Sequence, residues 1–423
     1  MDYKEALEYI AQTSWRGSKP GLERITRLCS LMGDSQRELK FIHVAGTNGK
    51  GSFCALLSSI LVKAGYKTGM FISPYLEVFN ERMQINGENI PDDELAEITE
   101  YTARFADSME DLPTEFELNT AIAFEYFKRN KCDIVILEAG MGGELDSTNV
   151  IDPPLLSVIM HIALDHTAWL GDTKEKIALT KSKIIKKGSR AVLYKQDESV
   201  TQIIRDRCAE VGSKLYISEP ESLKLIKADL SGQAFETEYL GEVTVPLIGK
   251  YQAENIAVVL KAAEALREAG YKIPESSVKD GLKETKWPGR FEVLRKDPYF
   301  IVDGGHNPDG IRAAKESLEA YFKGEKIIFI FGVMADKDYE QMADIILPLA
   351  KEVFCVAPDN ERALSPGELA ELINKKNVPA RACKDVKEAV RLALENAKKI
   401  TPVCALGSLY MAGEIRKLII KNS

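Results

Sequence analysis

Long apolar runs are missing from this sequence. No stretch approaches the roughly 20 consecutive apolar residues that a membrane-spanning helix needs. The first residues, MDYKEALEYIAQ, are charged and lack the apolar core of a signal peptide. Basic residues are not in excess either, because 56 Lys and Arg stand against 64 Asp and Glu, and the net charge of −8 argues against nonspecific nucleic-acid binding. We therefore expect a cytoplasmic protein with neither membrane nor nucleic acid as a partner.

Paired cysteines are also missing. The seven cysteines are scattered and odd in number, and no two of them form a CxxC pair. This excludes a disulfide framework and a cysteine zinc site, and it predicts reduced thiols. Histidine is scarce, with four residues in all. His43 and His161 lie inside apolar runs and are expected to be structural, whereas His166 and His306 follow such runs.

Short apolar runs are what the sequence has in quantity. KFIHVA, CDIVILEA and LLSVIMHI alternate with amphipathic stretches, a pattern typical of βαβ units and a parallel sheet. At 423 residues the chain exceeds one ordinary hydrophobic core, so two domains are expected. Residues 222–247 break the rhythm, because polar and apolar residues alternate there between glycines, which predicts a small antiparallel annex of the first domain.

The stretch TKWPGRFEVL, residues 285–294, carries Pro and Gly between periodic segments and is the candidate boundary. The prediction is an α/β protein with two domains. Residues 1–288 would form an N-terminal P-loop mononucleotide-binding domain with a mostly parallel sheet and the annex. Residues 289–423 would form a smaller C-terminal Rossmann-like α/β domain.

A glycine-rich loop follows the first apolar run, in FIHVAGTNGKGS (residues 41–52). A strict P-loop would need glycine where Val44 stands, and Gly51 displaces the hydroxyl to Ser52. The physical requirements of a phosphate site are still met. The glycines let backbone N–H groups approach an anion, Lys50 supplies a positive charge, and a helix N-terminus follows. The alternative is a glycine-rich turn with a solvated lysine.

Polar side chains stand where further strands should end. Ser73, Glu138 and His166 each follow an apolar run, at the edge of an open α/β sheet where ligands bind. Together they suggest a divalent-cation site beside the glycine loop, although a lone histidine is more often structural. Asp303 and His306, in VDGGHNP, could reach a nucleotide from the second domain, or could simply form a proline turn.

Segments in this order along the chain resemble the folylpolyglutamate synthase family, the folate branch of the Mur ligase superfamily. They are GTNGKGS (46–52), ISPYLEVFNERMQING (72–87), LEAGMGGELDSTN (137–149), LDHTAWLGDT (164–173), YQAENIAV (251–258), WPGRFE (287–292), DGGHNP (303–308) and GSLYMAGEIR (407–416). The loop form GTNGKGS together with SPYL and NER is specific to the folate branch. The resemblance covers almost the whole chain.

The resemblance implies an ATP-dependent amide ligase. ATP would phosphorylate the γ-carboxylate of a reduced folate, tetrahydrofolate, and L-glutamate would attack the resulting acyl phosphate and release phosphate. Mg²⁺ is implied as the metal ion, because phosphoryl transfer needs cations to neutralise its charge. Reduced folate, L-glutamate and ATP would be the partners, and family members are usually monomers.

The family's functional residues are carried over position by position. ATP would be bound by Asn48, Gly49, Lys50, Gly51, Ser52, Asn255, Arg290, Asp303 and His306. Mg²⁺ would be held by Ser52, Ser73, Glu138 and His166, and folate by Ser73, Pro74, Tyr75, Arg82 and Phe116. The implied catalytic residues are Lys50, Glu138, His166, Lys181, Arg290 and His306, of which Lys181 matches a lysine that is often carbamylated.

Some positions depart from the family pattern. The usual E-K-A-G-I is Thr-Lys-Ser-Lys-Ile at 180–184, which leaves carbamylation of Lys181 open, and Tyr75 replaces the histidine of S-P-H-L. Two alternatives also stay open. One is a bifunctional enzyme that also joins glutamate to dihydropteroate. The other is a nucleotide-binding regulator that has kept the fold without ligation.

Overall fold

The fold is α/β, as predicted, and its residues group into two compact units. The computed structural model describes residues 1–17, 19–398 and 400–420. The first unit contains Met1–Lys224, Glu236–Val243 and Ala253–Thr285, and the second contains Leu225–Phe235, Thr244–Gln252 and Lys286–Ser423. Within the described residues, no helix is both long enough and apolar enough to cross a membrane.

The first unit is built on an eight-stranded sheet in the order β4-β3-β2-β5-β1-β6-β7-β8. Its strands are β1 Phe41–Ala45, β2 Thr68–Phe71, β3 Met83–Ile85, β4 Glu88–Asn89, β5 Ile134–Glu138, β6 Leu156–Ile159, β7 Arg190–Leu193 and β8 Lys214–Ile217. Along the sheet, the strands β2, β5, β1, β6, β7 and β8 are all parallel to their neighbours in this series. The pairs β2–β3 and β3–β4 at one edge are antiparallel. The mostly parallel sheet is thereby confirmed.

Helices surround this sheet. They are α1 Tyr3–Ala11, α2 Glu23–Leu31, α3 Lys50–Lys63, α4 Asp92–Ala106, α5 Glu115–Arg129, α6 Thr167–Leu170, α7 Lys174–Ser182, α8 Glu198–Val211, α9 Gln252–Glu268 and α10 Glu275–Glu284. One core cluster joins α1, α2, α4 and α5 to β1, β2 and β5, and another joins α7 and α8 to β6 and β7. Apolar residues recur along α3 at helical spacing and form one fully buried face, which consists of Phe53, Leu56, Leu57, Ile60 and Leu61.

The predicted annex is a three-stranded sheet in the order β11-β10-β9, formed by β9 Lys224–Asp229, β10 Gly232–Thr237 and β11 Gly241–Val245. We expected it to belong wholly to the first domain. The division into units instead passes through it: Glu236–Val243 group with the first unit, and Leu225–Phe235 and Thr244–Gln252 with the second. One physical reason is that Ile248 packs into the core cluster of the second unit.

The second unit contains a six-stranded sheet in the order β12-β13-β17-β14-β15-β16. Its strands are β12 Glu292–Lys296, β13 Tyr299–Val302, β14 Ile327–Phe331, β15 Ala350–Cys355, β16 Ala380–Ala382 and β17 Val403–Leu406. Its helices are α11 Pro308–Tyr321, α12 Tyr339–Ile346, α13 Pro366–Lys375, α14 Val386–Ala397 and α15 Leu409–Ile420. Only β12 runs antiparallel to its neighbour, so the Rossmann-like character predicted for this part is confirmed.

Candidate functional site

The glycine loop joins the central strand β1 to helix α3. β1 lies between β5 and β6, and its Val44 is level with Glu138 at the end of β5. The carboxyl ends of these parallel strands therefore meet at one edge, where open α/β sheets bind ligands. Thr47 fixes the loop there: its N–H donates to the His161 carbonyl at 2.7 Å, and its hydroxyl donates to the Ala163 carbonyl at 3.0 Å.

Two glycines of the loop have no space for a side chain. Gly46 has a φ of 155°, and a Cβ there would lie 2.6 Å from the Met160 Cβ. Gly49 has a φ of 85°, and a Cβ there would lie 2.7 Å from the Asn255 Oδ1. The loop thus needs glycine for both conformation and close approach. The same contact places Asn255, one of the predicted ATP residues, directly beside the loop.

Lys50 and Glu138 are brought together at this edge. The Lys50 Nζ lies 3.7 Å from the Glu138 Oε1, and their side chains are 16% and 6% exposed. The Lys50 Nζ also donates to the Thr47 carbonyl at 3.4 Å, and the Ser73 N–H donates to the Glu138 Oε2 at 3.4 Å. Ser52 is buried in the first turn of α3. A cation and a carboxylate are therefore held beside a helix N-terminus, the arrangement that phosphate and metal binding require.

A second lysine approaches the loop. Lys181, in the last turn of α7, is 4% exposed, and its Nζ donates to the Gly46 carbonyl at 2.9 Å. Burial, reinforced by the charge of Lys50, lowers the pKa of Lys181 to about 7, although Asp146 and Asp165 oppose the shift. Near neutral pH this amine is therefore present in both its charged and neutral forms.

His166 stands at the start of the short helix α6 in the left-handed conformation, with a φ of 49°. Its Nε2 is 4.0 Å from the Asp165 Oδ2, and its side chain is 37% exposed. In the part of the chain that the structure describes, there is no cluster of three or more His, Cys, Asp or Glu that could hold a metal. The predicted set for Mg²⁺ contains only two such residues, Glu138 and His166, beside two serines.

The predicted folate residues follow β2. The Ser73–Pro74 peptide bond is cis. The guanidinium carbon of Arg82 lies 5.2 Å from the Tyr75 ring centre, within the range of a cation–π contact. The Arg82 Nη2 lies 4.0 Å from the Glu115 Oε1. Tyr75 and Arg82 are therefore together, as the predicted site needs.

Phe116 lies in the first turn of α5 and packs against the glycine-rich stretch after β5. A Cβ on Gly140 would lie 2.6 Å from the Phe116 Cζ, so glycine is required for this approach. The Phe116 ring centre is also 5.9 Å from that of Phe71, the last residue of β2. The ring is thus held against the last residue of β2 and against Gly140, which lies two residues after Glu138 at the end of β5.

Sequence reasoning missed two acidic residues that shape these loops. The Glu81 carboxylate accepts hydrogen bonds from the backbone N–H groups of Leu76, Glu77 and Val78, at 2.7, 3.0 and 3.0 Å. The buried Asp146 carboxylate accepts from the N–H groups of Met141 and Thr148, at 2.7 and 3.0 Å. The sequence signal that could have found them is an acidic residue within a few positions of a loop, in SPYLEVFNER and AGMGGELD. Such a carboxylate can accept hydrogen bonds from the backbone N–H groups of that loop.

In the second unit, three predicted residues converge on Gly304. A Cβ on Gly304 would overlap the Arg290 Nη1, so the guanidinium lies against this glycine. The His306 Nδ1 lies 2.9 Å from the Gly304 carbonyl. The Asp303 carboxylate accepts from the N–H groups of Phe291 and Gly305 at 2.8 and 2.7 Å, and burial raises the pKa of Asp303 against the opposing charge of Arg290.

Models of known protein families match residues of both units. The chain matches the Mur ligase middle domain over residues 44–263 and the Mur ligase glutamate ligase domain over residues 289–409. Folylpolyglutamate synthase of Lacticaseibacillus casei is 31% identical over 433 residues, which covers 99% of each protein. The chain belongs to the folylpolyglutamate synthase family.

Further relatives agree with this membership. The dihydrofolate synthase/folylpolyglutamate synthase of Bacillus subtilis is 33% identical, and the match covers 98% of both proteins. A crystal structure of Mycobacterium tuberculosis folylpolyglutamate synthase, complexed with ADP and AMPPCP, is similar with a TM-score of 0.90 and 27% identity over 99% of both chains. This folylpolyglutamate synthase family member is thus an ATP-dependent ligase.

Proposed function

We propose that this family member adds L-glutamate to the γ-carboxylate of a reduced folate, tetrahydrofolate, with ATP converted to ADP and phosphate. The observation that carries the proposal is the pair of Lys50 and Glu138, 3.7 Å apart beside the glycine loop. This pair supplies a cation for the transferred phosphoryl group and a carboxylate for its metal ion. Membership of a ligase family favours this function over a nucleotide-binding regulator.

The reaction divides into two steps. In the first, a γ-carboxylate oxygen attacks the γ-phosphorus of ATP, the bond to ADP breaks, and an acyl phosphate forms. In the second, the neutral amino nitrogen of glutamate attacks the acyl carbon, the C–N bond forms, and phosphate leaves as the amine gives up its proton. Asn48–Ser52 would hold the phosphates through backbone N–H groups, and Lys50 would offset the charge that develops on them.

Mg²⁺ would be held by Ser52, Ser73, Glu138 and His166. The donor chemistry fits, because Mg²⁺ in such sites is bound through one or two carboxylates together with substrate phosphates and water. Glu138 is a buried carboxylate beside Ser73, and Ser52 is buried at the start of α3. When bound, the ion would neutralise negative charge on the phosphates.

Lys181 is proposed to act on the glycine loop through its bond to the Gly46 carbonyl. Carbamylation, which the resemblance implies, requires a neutral amine, and a pKa of about 7 supplies one near neutral pH. In the second unit, Arg290 and His306 are proposed to bind phosphate oxygens and Asp303 the nucleoside. Asn255 would support the loop and lie near the adenine.

The folate is proposed to contact Ser73, Pro74, Tyr75, Arg82 and Phe116. Tyr75 and Phe116 offer flat faces for a pterin or aminobenzoyl ring, and Arg82 offers a cation for a carboxylate. The domain limits 1–288 and 289–423, a monomeric state and a cytoplasmic location stay predictions.

A bifunctional enzyme is the second candidate, because relatives named for one activity and for both are about equally similar to this chain. The deciding experiment offers tetrahydrofolate or dihydropteroate, with MgATP and L-glutamate, and identifies the products by mass spectrometry. A product from tetrahydrofolate alone means a single activity, and products from both mean a bifunctional enzyme. A γ-carboxylate labelled with ¹⁸O should pass one label to phosphate, and unlabelled phosphate would contradict the acyl phosphate.

A further inference from the structure

The short loop that carries Arg290 has an unusual backbone. Gly289 has a φ of 75°, and Phe291, on the other side of the arginine, has a φ of 43°. Phe291 is fully buried in the core of the second unit. A large non-glycine side chain rarely occupies the left-handed region, and it does so only where its surroundings over-determine it. Something in this unit must therefore hold the loop around Arg290.

The loop around Arg290 is held by the carboxylates of Glu292 and Asp303 and by the backbone of Gly304. The Gly289 N–H donates to the Glu292 Oε2 at 2.8 Å, and the Phe291 N–H donates to the Asp303 Oδ2 at 2.8 Å. The Gly304 N–H donates to the Gly289 carbonyl at 2.8 Å. The residues on both sides of Arg290 are thus fixed, and its guanidinium is directed onto Gly304.

The Glu292 carboxylate is itself held by the C-terminal helix. The Arg416 Nε, on α15, lies 3.0 Å from the Glu292 Oε1 and 3.1 Å from the Oε2. Both side chains are only about a quarter exposed, at 25% and 23%. Their attraction is therefore less screened by water than that of an exposed pair. The negative charge that Arg416 fixes is the one that accepts the Gly289 N–H.

We propose that Glu292 and Arg416 are positioning residues that present Arg290 to the nucleotide phosphates. This inference rests on the phosphate-binding role of Arg290 under the proposed function. Arg416 acts through Glu292 and Gly289 and touches no substrate in this scheme. A guanidinium that is misplaced by about 1 Å loses much of its effect on a bound phosphate, so the loop geometry has functional weight.

A purely structural role makes a different prediction. If the pair only ties β12 to α15, its loss would weaken the unit whether or not Arg290 is present. If it positions Arg290, its loss should matter only while Arg290 is there to be positioned. A double-mutant cycle separates the two, because residues that act through one another give non-additive effects.

The test measures the dissociation constant of a nonhydrolysable ATP analogue, with MgCl₂, by calorimetric titration of the full chain. The proteins are the wild type, Arg290→Ala, Arg416→Gln and the double variant. Arg416→Gln should weaken binding about five- to tenfold in the wild-type background and by less than about twofold in the Arg290→Ala background. Arg391→Gln, which removes an exposed pair with Glu395 in the same unit, is the control and should bind as the wild type does.

Two results would overturn the inference: unchanged affinity in Arg416→Gln, or an equal loss in both backgrounds. If Arg416→Gln does not fold, Glu292→Gln enters the same cycle, because it keeps an acceptor for the Gly289 N–H and removes the charge. Unchanged affinity in Arg290→Ala would instead show that the phosphate role of Arg290 is wrong, and the inference falls with it. No folate turnover is involved, so the cycle can be read even if ligation fails.

Discussion

At the residue scale, the first unit brings two shielded lysines to one short loop, Lys50 at the start of α3 and Lys181 from α7. The Lys50 Nζ lies near Glu138 and the Thr47 carbonyl, while the Lys181 Nζ donates to the Gly46 carbonyl. The charge of Lys50 adds to the partial positive charge of the helix N-terminus and favours an anion there, and the protonated form of Lys181 contributes further. A triphosphate satisfies that requirement, and the two lysines can be tested separately.

Lys50→Ala should abolish turnover, with a fall of at least about 1,000-fold in kcat, because a cation that contacts the transferred phosphoryl group is lost. ADP release gives the rate, and circular dichroism shows whether the fold is retained. Lys63→Ala removes a lysine at the other end of α3, which pairs with Glu284 at 2.6 Å, and should stay close to wild-type activity. Near-normal turnover in a folded Lys50→Ala protein would contradict the phosphate assignment.

The lowered pKa of Lys181 predicts that the stability of the protein depends on pH. Its pKa is about 7 in the folded protein against an ordinary value of 10.5, so between these pH values the unfolded chain binds a proton that the folded chain does not. The free energy of unfolding should therefore rise with pH across this range, by about 2–4 kcal/mol from this group. Below pH 7 and above pH 10.5, the contribution of Lys181 to the free energy of unfolding does not change with pH.

Denaturant unfolding of wild type and Lys181→Met, in carbon-dioxide-free buffer at several pH values from about 7 to 10, measures this effect. The rise should be larger in the wild type than in the variant by the contribution of Lys181. The variant keeps the smaller rise that comes from Lys186, because burial lowers the pKa of that lysine to about 8. Lys187→Met removes an exposed lysine and controls for the loss of one charge. Parallel curves for wild type and Lys181→Met would show that Lys181 is not the group responsible.

At the element scale, helix α3 is bounded by two glycines that differ in their surroundings. Gly49 precedes α3, and Gly65 follows it soon after its end. Their φ angles are similar, 85° and 91°, but a Cβ on Gly49 would meet Asn255 whereas one on Gly65 would meet nothing within 4 Å. The pair therefore separates backbone strain from steric exclusion.

Gly65→Ala should cost about 1–2 kcal/mol, the strain of a left-handed residue with a Cβ, and should keep its activity. Gly49→Ala should cost at least about 1 kcal/mol more and should lose ATP-dependent turnover, because Asn255 and the loop must move apart. Urea unfolding and ADP release measure the two effects. Equal stability losses with equal activity would show that the contact with Asn255 does not restrict the loop.

Much of the structure around α3 and its neighbouring strands could be predicted from the sequence. The apolar runs predict β1, β5 and β6, and the 3.6-residue period of apolar residues indicates the buried face of α3. Gly65 stands just beyond the end of α3, where glycine is common. Local patterns carry this information, because strand burial and helix periodicity are read over a few residues. Ser73, Glu138 and the glycine loop could be placed together for the same reason, since parallel strands end at one edge.

Contacts between distant residues could not be predicted this way. The bond from Lys181 to Gly46 and the pair of Arg416 with Glu292 join positions far apart in the chain. The left-handed Phe291 also has no local signal, because its conformation is imposed by the hydrogen bond from its N–H to Asp303 and by the core around it. Tertiary contacts decide these features, and the local conformational propensities of the residues contain no information about them.

At the scale of the whole molecule, each of the two units holds a different group of the proposed functional residues. The first holds Lys50, Glu138 and Lys181 around a glycine loop, and the second holds Arg290, Asp303 and His306 around Gly304. The match covers 98–99% of the Lacticaseibacillus casei and Bacillus subtilis relatives, and both family domains are present. All the residues that the ligase reaction is proposed to need are therefore present in one chain.

The most direct measurement of the central claim is ADP release by the purified protein with MgATP, tetrahydrofolate and L-glutamate, with each substrate omitted in turn. We predict that ADP forms steadily only when all three are present, and that tetrahydrofolate gains one glutamate for each ADP released. ADP release that does not depend on glutamate, or no release with the complete mixture, would contradict the assignment of this chain as a folate–glutamate ligase.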